Sequence, residues 1–251
     1  EDGIRDRSPS RGLGDVYKRQ DDTLIYVITG DNGASGEGTL KGTFNEMMVF
    51  NGMADILETP EYLAARLEQW GGPEGMPHYA VGWAWAMDTP YQWTKQIASH
   101  WGGTRQGTIV HWPKGIQEKG GVRSQFSHVN DVAATVLEAA GIPEPIQVHG
   151  VTQSPYEGTS MVYSFNDAQA PERHEVQYFE MFGNRGIYYK GWSAVTKHRT
   201  PWKLGVGDKT VAFDDDVWEL YDGSKDYTQA HDLAKEMPDM LQKLQRVFII
   251  E

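Results

Sequence analysis

The sequence predicts an α/β protein with an appended α+β subdomain, and three observations support this. An apolar, β-branched run at 24–28 has the pattern of a strand buried on both faces, as in parallel sheets. A second strand at 108–112 is followed by an amphipathic helix at 127–140. From residue 175 onward, short strands joined by Gly and Pro turns indicate a small antiparallel sheet. We therefore expect an α/β domain at 21–172 and a subdomain at 173–251.

Residues 1–20 are expected not to belong to the fold. They are polar, rich in Arg, Asp, Ser and Gly, and show neither helical nor strand periodicity. The stretch 15–20, DVYKRQ, resembles the translation of a transposon-end adapter used in sequencing libraries. We predict a non-native, disordered extension; a natural disordered extension is the alternative.

The composition of the 251 residues excludes several classes of protein. A hydrophobic fraction of 39% is that of a globular chain, and a net charge of -12 without a basic stripe argues against nucleic-acid binding. No apolar run approaches about eighteen residues and no signal-peptide pattern is present, so we expect no membrane span. The chain has no cysteine, which excludes disulfides, zinc-thiolate sites and a cysteine nucleophile. Localisation stays open.

The middle of the chain alternates helical and strand patterns. Apolar spacing from Glu46 to Trp70 predicts helices broken at Thr59-Pro60. Tyr79 to Trp93 is too crowded with aromatic side chains for one helix face, and we predict a loop that lines a pocket. The helix at 127–140 has Asp131 in its first turn and ends at Gly141.

The last third predicts a meander and a helix. The expected strands are 176–179, 186–189, 193–196 and 217–221. Apolar residues recur at helical spacing over 237–251, which predicts an amphipathic helix that lies on this sheet. The acidic run 214–216 is expected to be a solvated turn, because three adjacent side chains cannot converge on one ion.

Asp31 and Asn32 are candidate metal ligands at the end of the first strand. Carboxylate and amide oxygens are hard donors that suit Ca²⁺ or Mg²⁺. In open α/β sheets, ligands bind outside the carboxyl ends of the strands, where this pair is expected to lie. Asp-Asn-Gly is also a strong turn signal that needs no ligand, so the residues alone leave both interpretations open.

Three other side chains could contact an anion or transfer a proton. Lys95 is a cation near Gly102-Gly103, a pair that lets backbone approach closely, and it could hold a sulfate or phosphate group. A solvated surface lysine is the alternative, and Arg105 has the same ambiguity. His100 could donate a proton, although a single histidine in this setting is more often structural.

Several segments in order resemble the C-terminal half of bacterial arylsulfatases. They are LIYVITGDNGAS at 24–35, 95–105 with its GGTR, HVNDVAATVLEAAGI at 128–142, and WELYD at 218–222 with Asp226 and 231–234. The resemblance covers residue 21 to the end. It implies an alkaline-phosphatase-like mixed sheet flanked by helices, with a small C-terminal subdomain that carries an antiparallel sheet.

The resemblance also implies a chemistry, hydrolysis of small-molecule sulfate esters. In that family Ca²⁺, with Mg²⁺ as the alternative here, is held by two N-terminal aspartates and by an Asp-Asn pair that matches Asp31 and Asn32. The family lysine that contacts sulfate matches Lys95. Where many members have glutamate before the glycines, this chain has His100-Trp101.

The family's nucleophile has no match in this sequence. It is a formylglycine made from Cys or Ser in a Cys/Ser-x-Pro-x-Arg setting of the N-terminal half. The nearest approach, 7–11, puts Arg7 at the nucleophile position. We therefore expect a catalytically incomplete fragment. The alternatives are a phosphonate or phosphate ester hydrolase of the same superfamily, and a non-catalytic module whose aromatic loop binds an aryl or sugar ligand. The substrate's alcohol portion and the oligomeric state stay open.

Overall fold

The computed structural model describes residues 19–203 and 212–251. The predicted extension 1–20 lies outside the described residues except for its last two. The described chain packs as two compact units, each built from two separate stretches. Unit 1 is the described part of Glu1–Thr29 with Gly107–Glu175, and unit 2 is Gly30–Gln106 with the described part of Val176–Glu251. The predicted domains 21–172 and 173–251 divide the chain differently and stay a prediction.

The described helices and strands alternate in the first part of the chain and give way to a meander in the last. The strands are β1 Ile25–Ile28, β2 Thr108–His111, β3 Gln147–Val148, β4 Val151–Thr152, β5 Val176–Met181, β6 Asn184–Tyr189, β7 Trp192–Thr196 and β8 Trp218–Asp222. The helices are α1 Glu46–Phe50, α2 Ala54–Leu57, α3 Pro60–Ala64, α4 Val81–Asp88, α5 Trp101–Thr104, α6 Asp131–Ala140 and α7 Pro238–Ile250. Among the residues that the structure describes, no helix is long and apolar enough to cross a bilayer.

Unit 1 is organised around the β1–β2 pair. The two strands run antiparallel, with Ile25 opposite His111. Val27 is 46% exposed and Ile28 43%. The prediction of a strand buried on both faces, as in a parallel sheet, is therefore wrong for β1. A run of β-branched residues specifies a strand but not the direction of its partner or the layers that cover it.

Helix α6 confirms the helix predicted for the second half of unit 1, but it begins at Asp131 and not at residue 127. Its first residue, Asp131, accepts the backbone N–H of His128 at 2.7 Å, as expected for a carboxylate at a helix start. Gly141 ends the helix with a φ of 67°, a left-handed conformation that glycine adopts without strain. Asp131 is buried and pairs with His174, whose Nδ1 lies 2.8 Å from its Oδ1.

The helical region of unit 2 confirms one prediction and corrects another. α3 begins after Thr59, whose hydroxyl accepts the N–H of Tyr62 at 3.2 Å, so the break at Thr59-Pro60 is confirmed. Within the predicted loop Tyr79 to Trp93, however, Val81–Asp88 forms helix α4. Trp83 and Trp85 point outward on this helix, 67% and 43% exposed, so their crowding did not prevent a helix from forming.

The antiparallel sheet of unit 2 has the order β5-β6-β7-β8, and α7 packs on it. The predicted strands and the predicted helix are confirmed. Four side chains form the core, namely Ile187, Ala194, Leu220 and Leu244, all at most 1% exposed. The apolar stripe of α7 faces the sheet through Leu244, which removes that surface from water.

The acidic run before β8 is only partly a solvated turn. Asp214 and Asp215 are exposed and belong to a 3-10 turn, as predicted. The side chain of Asp216 is only 2% exposed, and it accepts a bond of 2.5 Å from Arg185. His198 Nδ1 lies 3.0 Å from the same carboxylate. The prediction is therefore wrong for Asp216, because Arg185 and His198, both distant in sequence, contact its carboxylate and make its burial favourable.

Candidate metal and anion site

Two segments of unit 2 that carry predicted site residues lie side by side. The loop 31–37 holds the Asp31-Asn32 pair, and the segment 92–105 holds Lys95. The backbone N–H of Gly33 donates to the carbonyl of Gly103 at 3.0 Å, and the N–H of Lys95 donates to the carbonyl of Ala34 at 3.0 Å. Residues 61 and 70 positions apart in sequence are thus brought together by main-chain bonds.

Glycines allow this close approach. A Cβ atom on Gly33 would lie 1.7 Å from the carbonyl oxygen of Gly102. A Cβ on Gly102 would lie 2.2 Å from the carbonyl oxygen of Gln92, and one on Gly103 would lie 2.2 Å from that of Ile97. These distances exclude any side chain, so the predicted role of the Gly102-Gly103 pair in close backbone approach is confirmed.

Asp31 and Asn32 present oxygen donors near the surface of unit 2. Asp31 is exposed and Asn32 is half-buried. The amide nitrogen of Asn32 donates to Oδ1 of Asp31 at 2.7 Å. A carboxylate and an amide carbonyl have the donor chemistry that Ca²⁺ or Mg²⁺ requires. The described residues contain no group of three or more His, Cys, Asp or Glu arranged to hold a metal, so the pair fits only part of an oxygen shell.

Asp88 fixes the loop that carries this pair. Its Oδ1 accepts the backbone N–H of Ala34 at 2.8 Å. Its Oδ2 is buried and has no hydrogen-bond partner in the described part of the chain. Burial raises the pKa of Asp88 above its ordinary value. Sequence reasoning missed this residue, because it lies in the aromatic stretch and 54 positions from its partner.

Lys95 is not a free surface lysine. Its Nζ lies 3.0 Å from Oε2 of Glu37, and the two side chains are 34% and 17% exposed. Ser35 Oγ donates to the same carboxylate oxygen at 2.6 Å, and the Gln96 amide donates to the other oxygen. Burial opposes ionisation of Glu37, but the bonds from Ser35 and Lys95 outweigh it and lower the pKa of Glu37. Sequence reasoning did not identify Glu37.

His100 lies inside unit 2 with both ring nitrogens partnered. It is 0% exposed, its Nδ1 is 2.9 Å from Ser99 Oγ, and its Nε2 is 3.1 Å from Oε2 of Glu219. Tyr221 donates to the same Glu219 oxygen at 2.5 Å. This burial favours the structural interpretation of His100, because a proton donor must reach the substrate.

The Glu219 network also shifts the pKa of its own members. Burial opposes the charge of Glu219, but hydrogen bonds from His100 and Tyr221 overcome that effect and lower its pKa. Burial and the Glu219 carboxylate together raise the pKa of Tyr221. The network therefore holds the Glu219 carboxylate against the segment 92–105.

Arg105, the other candidate cation, has partners of its own, and a cavity in unit 1 lacks the candidate residues. Arg105 donates to the carbonyl of Tyr227 at 3.3 Å and lies over the ring of Tyr91. A cavity of about 470 Å³ in unit 1 lies beside β2 and Arg123. Its lining contains none of the predicted site residues, so it supports no role for them.

A comparison with protein-family models matches residues 15–142 to the model described as Sulfatase. The chain is also similar to an uncharacterized sulfatase of Schizosaccharomyces pombe (strain 972), with 26% identity over 234 residues. That match covers 91% of this chain and 38% of the relative, so the chain spans well under half of the relative's length.

Solved structures share the fold. A Bacteroides thetaiotaomicron protein, solved in work on glycosaminoglycan metabolism, matches with a TM-score of 0.53 and 17% identity, covering 95% of this chain and 40% of its own. The PsFucS1 sulfatase from Pseudoalteromonas sp. matches with a TM-score of 0.53 and 13% identity, covering 95% and 38%. Ps i-CgsB matches with a TM-score of 0.53 and 18% identity, covering 94% and 38%. The α/β, alkaline-phosphatase-like fold predicted from sequence is confirmed for the part that this chain covers.

Proposed function

The chain belongs to the sulfatase family, and on that premise we propose that it carries part of a metal-dependent sulfate ester hydrolase. The joining of the loop 31–37 to the segment 92–105 supports this most strongly. In this proposal, the segment of Asp31 and Asn32, as oxygen ligands, lies beside the segment of Lys95. A hydrolase of sulfate esters needs both a cation and hydrogen-bond donors for the sulfuryl oxygens.

Each residue has a separate part in this proposal. Asp31 and Asn32 would hold Ca²⁺, with Mg²⁺ as the alternative. When bound, the cation would supply positive charge that stabilises the sulfuryl oxygens. Lys95 would donate a hydrogen bond to one of these oxygens, held in place by its backbone bond to Ala34. His100 keeps the segment 92–105 on the β8 strand through Glu219.

The nucleophile is not among these 251 residues. The sequence has no cysteine and no serine in the Cys/Ser-x-Pro-x-Arg setting. The proposal therefore assigns the formylglycine to sequence outside this chain, and it predicts no turnover by the chain alone. Metal affinity of the chain alone should also be weak, because two ligands leave most of a six- to eight-fold oxygen shell to water.

The proposed substrate is an aryl sulfate. A sugar sulfate is the second candidate, and a structural neighbour favours it, because Ps i-CgsB was solved in complex with k-i-k-neocarrahexaose. That neighbour is only 18% identical to this chain, with a TM-score of 0.52, so its ligand suggests a candidate and does not establish a specificity.

Turnover measurements test the proposal. The reading frame would be extended upstream of residue 21 to the length of the relatives, and hydrolysis of p-nitrophenyl sulfate would be compared with that of p-nitrophenyl phosphate. We expect turnover of the sulfate ester by the extended protein and none by the 251-residue chain. Faster turnover of the phosphate ester would favour the phosphatase alternative, and turnover by the chain alone would refute the external nucleophile.

A further inference from the structure

The charge of Lys95 is balanced by a carboxylate that the fold holds in place. Glu37 lies between two buried glycines whose surroundings leave no room for a side chain. A Cβ on Gly36 would meet the Trp202 ring at 3.2 Å, and one on Gly38 would lie 2.0 Å from the carbonyl oxygen of Tyr79. The backbone on both sides of Glu37 is therefore tightly packed.

The carboxylate itself is equally fixed. One oxygen of Glu37 accepts bonds from Ser35 at 2.6 Å and from Lys95 at 3.0 Å, and Gln96 donates to the other. Gln96 has a φ of 73°, an uncommon conformation for a residue with a side chain. This conformation persists because surrounding contacts hold it, and the bond to Glu37 is one of them.

A lysine neutralised in this way attracts anions less than a free one does. An anion bound at Lys95 is attracted by the ammonium group of Lys95. It is also repelled by the carboxylate of Glu37, which is in contact with that ammonium group. Without Glu37, the cationic site would favour the more highly charged anion, because Coulomb attraction grows with the charge of the ligand. Phosphate monoesters are dianions at pH 8, whereas sulfate esters are monoanions.

We propose that Glu37 is a specificity-determining residue of this anion site, whose charge beside Lys95 reduces the affinity for dianionic phosphate monoesters relative to monoanionic sulfate esters. The proposal rests on the proposed contact between Lys95 and the sulfate group. The two esters differ by one unit of charge, which would lie about 6 Å from the Glu37 carboxylate at a partly exposed site. The expected change in the affinity ratio on removal of the Glu37 charge is about tenfold.

Binding to the 251-residue chain tests this without turnover. Ligand-observed NMR at low salt and pH 8 would give the Kd of p-nitrophenyl phosphate and p-nitrophenyl sulfate, whose identical aryl group cancels in the ratio. For Glu37→Gln we expect the phosphate ester to gain about tenfold more affinity than the sulfate ester. Glu37→Asp keeps the charge and should keep the wild-type ratio within about twofold.

Two further variants separate charge from general effects. Glu68 is exposed in the same unit and belongs to neither of the segments 31–37 and 92–105, so Glu68→Gln makes the same change in net charge and should leave the ratio unchanged. Lys95→Met should abolish the binding of both esters, both as a single variant and in combination with Glu37→Gln. Binding that survives Lys95→Met would overturn the proposal.

Three other outcomes would also overturn it: equal gains for both esters in Glu37→Gln, no gain for either, or no binding to that variant at all. The outcomes are distinct from those of the turnover test. If the extended protein hydrolyses the sulfate ester but Glu37→Gln leaves the affinity ratio unchanged, the specificity role of Glu37 is refuted and the proposed hydrolase stands. If Glu37→Gln shifts the affinity ratio but the extended protein shows no turnover, the proposed hydrolase is refuted and the selective anion site stands.

Discussion

Replacing Gly33 by alanine tests the contact that joins the two segments of the site. The added Cβ would lie 1.7 Å from the carbonyl oxygen of Gly102, a backbone atom that no rotamer change can move. The loop 31–37 must shift away, which breaks the 3.0 Å bond from Gly33 to Gly103. We expect about 1–3 kcal/mol for the forced displacement and about 1 kcal/mol for the lost bond, or about 2–4 kcal/mol in all.

Urea denaturation followed by tryptophan fluorescence measures this loss. Unit 2 contains eight of the nine tryptophans, all but Trp112, so the signal reports chiefly on that unit. Gly82→Ala is the matched control, because a Cβ on Gly82 meets nothing within 4 Å in helix α4. This control should be neutral or stabilise the helix by about 0.5–1 kcal/mol. A free energy of unfolding of Gly33→Ala within about 0.5 kcal/mol of wild type would refute the reasoning.

Three further changes probe the framework of the site. Leu244→Ala leaves a cavity at a fully buried position between α7 and the sheet, so urea denaturation should show a loss of about 2–5 kcal/mol; a loss below about 1 kcal/mol would contradict this packing. Thr59→Ala removes the helix cap that Tyr62 uses and should cost about 1 kcal/mol, whereas Thr59→Ser should restore it. Because the folded-state pKa of Glu219 is lowered, its contribution to stability is present above its ordinary pKa of 4.5 and is lost as pH falls through the folded value. The free energy of unfolding of Glu219→Gln should therefore fall less steeply than wild type between about pH 5 and 3, and parallel slopes would contradict the lowered pKa.

Elements with strong local signals could be predicted from sequence. The helix α6 has regular apolar spacing, an acidic first turn and a terminal glycine, and all three features act within the helix. The meander β5–β8 and the helix α7 likewise follow from local alternation and periodicity. Such patterns suffice because hydrogen bonds between near neighbours and one buried face determine these elements.

Properties that depend on distant partners could not be predicted. The exposure of Val27 on β1 and the burial of Asp216 both depend on which segments pack against them. The pairing of Glu37 with Lys95 spans 58 residues and has no signal in either local sequence. For the candidate site, the sequence therefore offers Asp31 and Asn32 as candidate ligands and predicts the close approach at the glycines, but it gives no signal for the carboxylates that fix the loop and the lysine.

The cation at Asp31 and Asn32 is the central claim, and the calcium dependence of sulfate ester turnover tests it most directly. In the extended protein, p-nitrophenyl sulfate hydrolysis would be measured during calcium titration after chelation, for wild type, Asp31→Ala and Asp55→Ala. Asp55 has a 78% exposed side chain in the same unit and serves as the control. We predict that calcium restores turnover to wild type and Asp55→Ala, whereas Asp31→Ala loses turnover at least about a hundredfold at the same calcium concentration. Unchanged turnover and calcium dependence in Asp31→Ala would contradict the metal assignment.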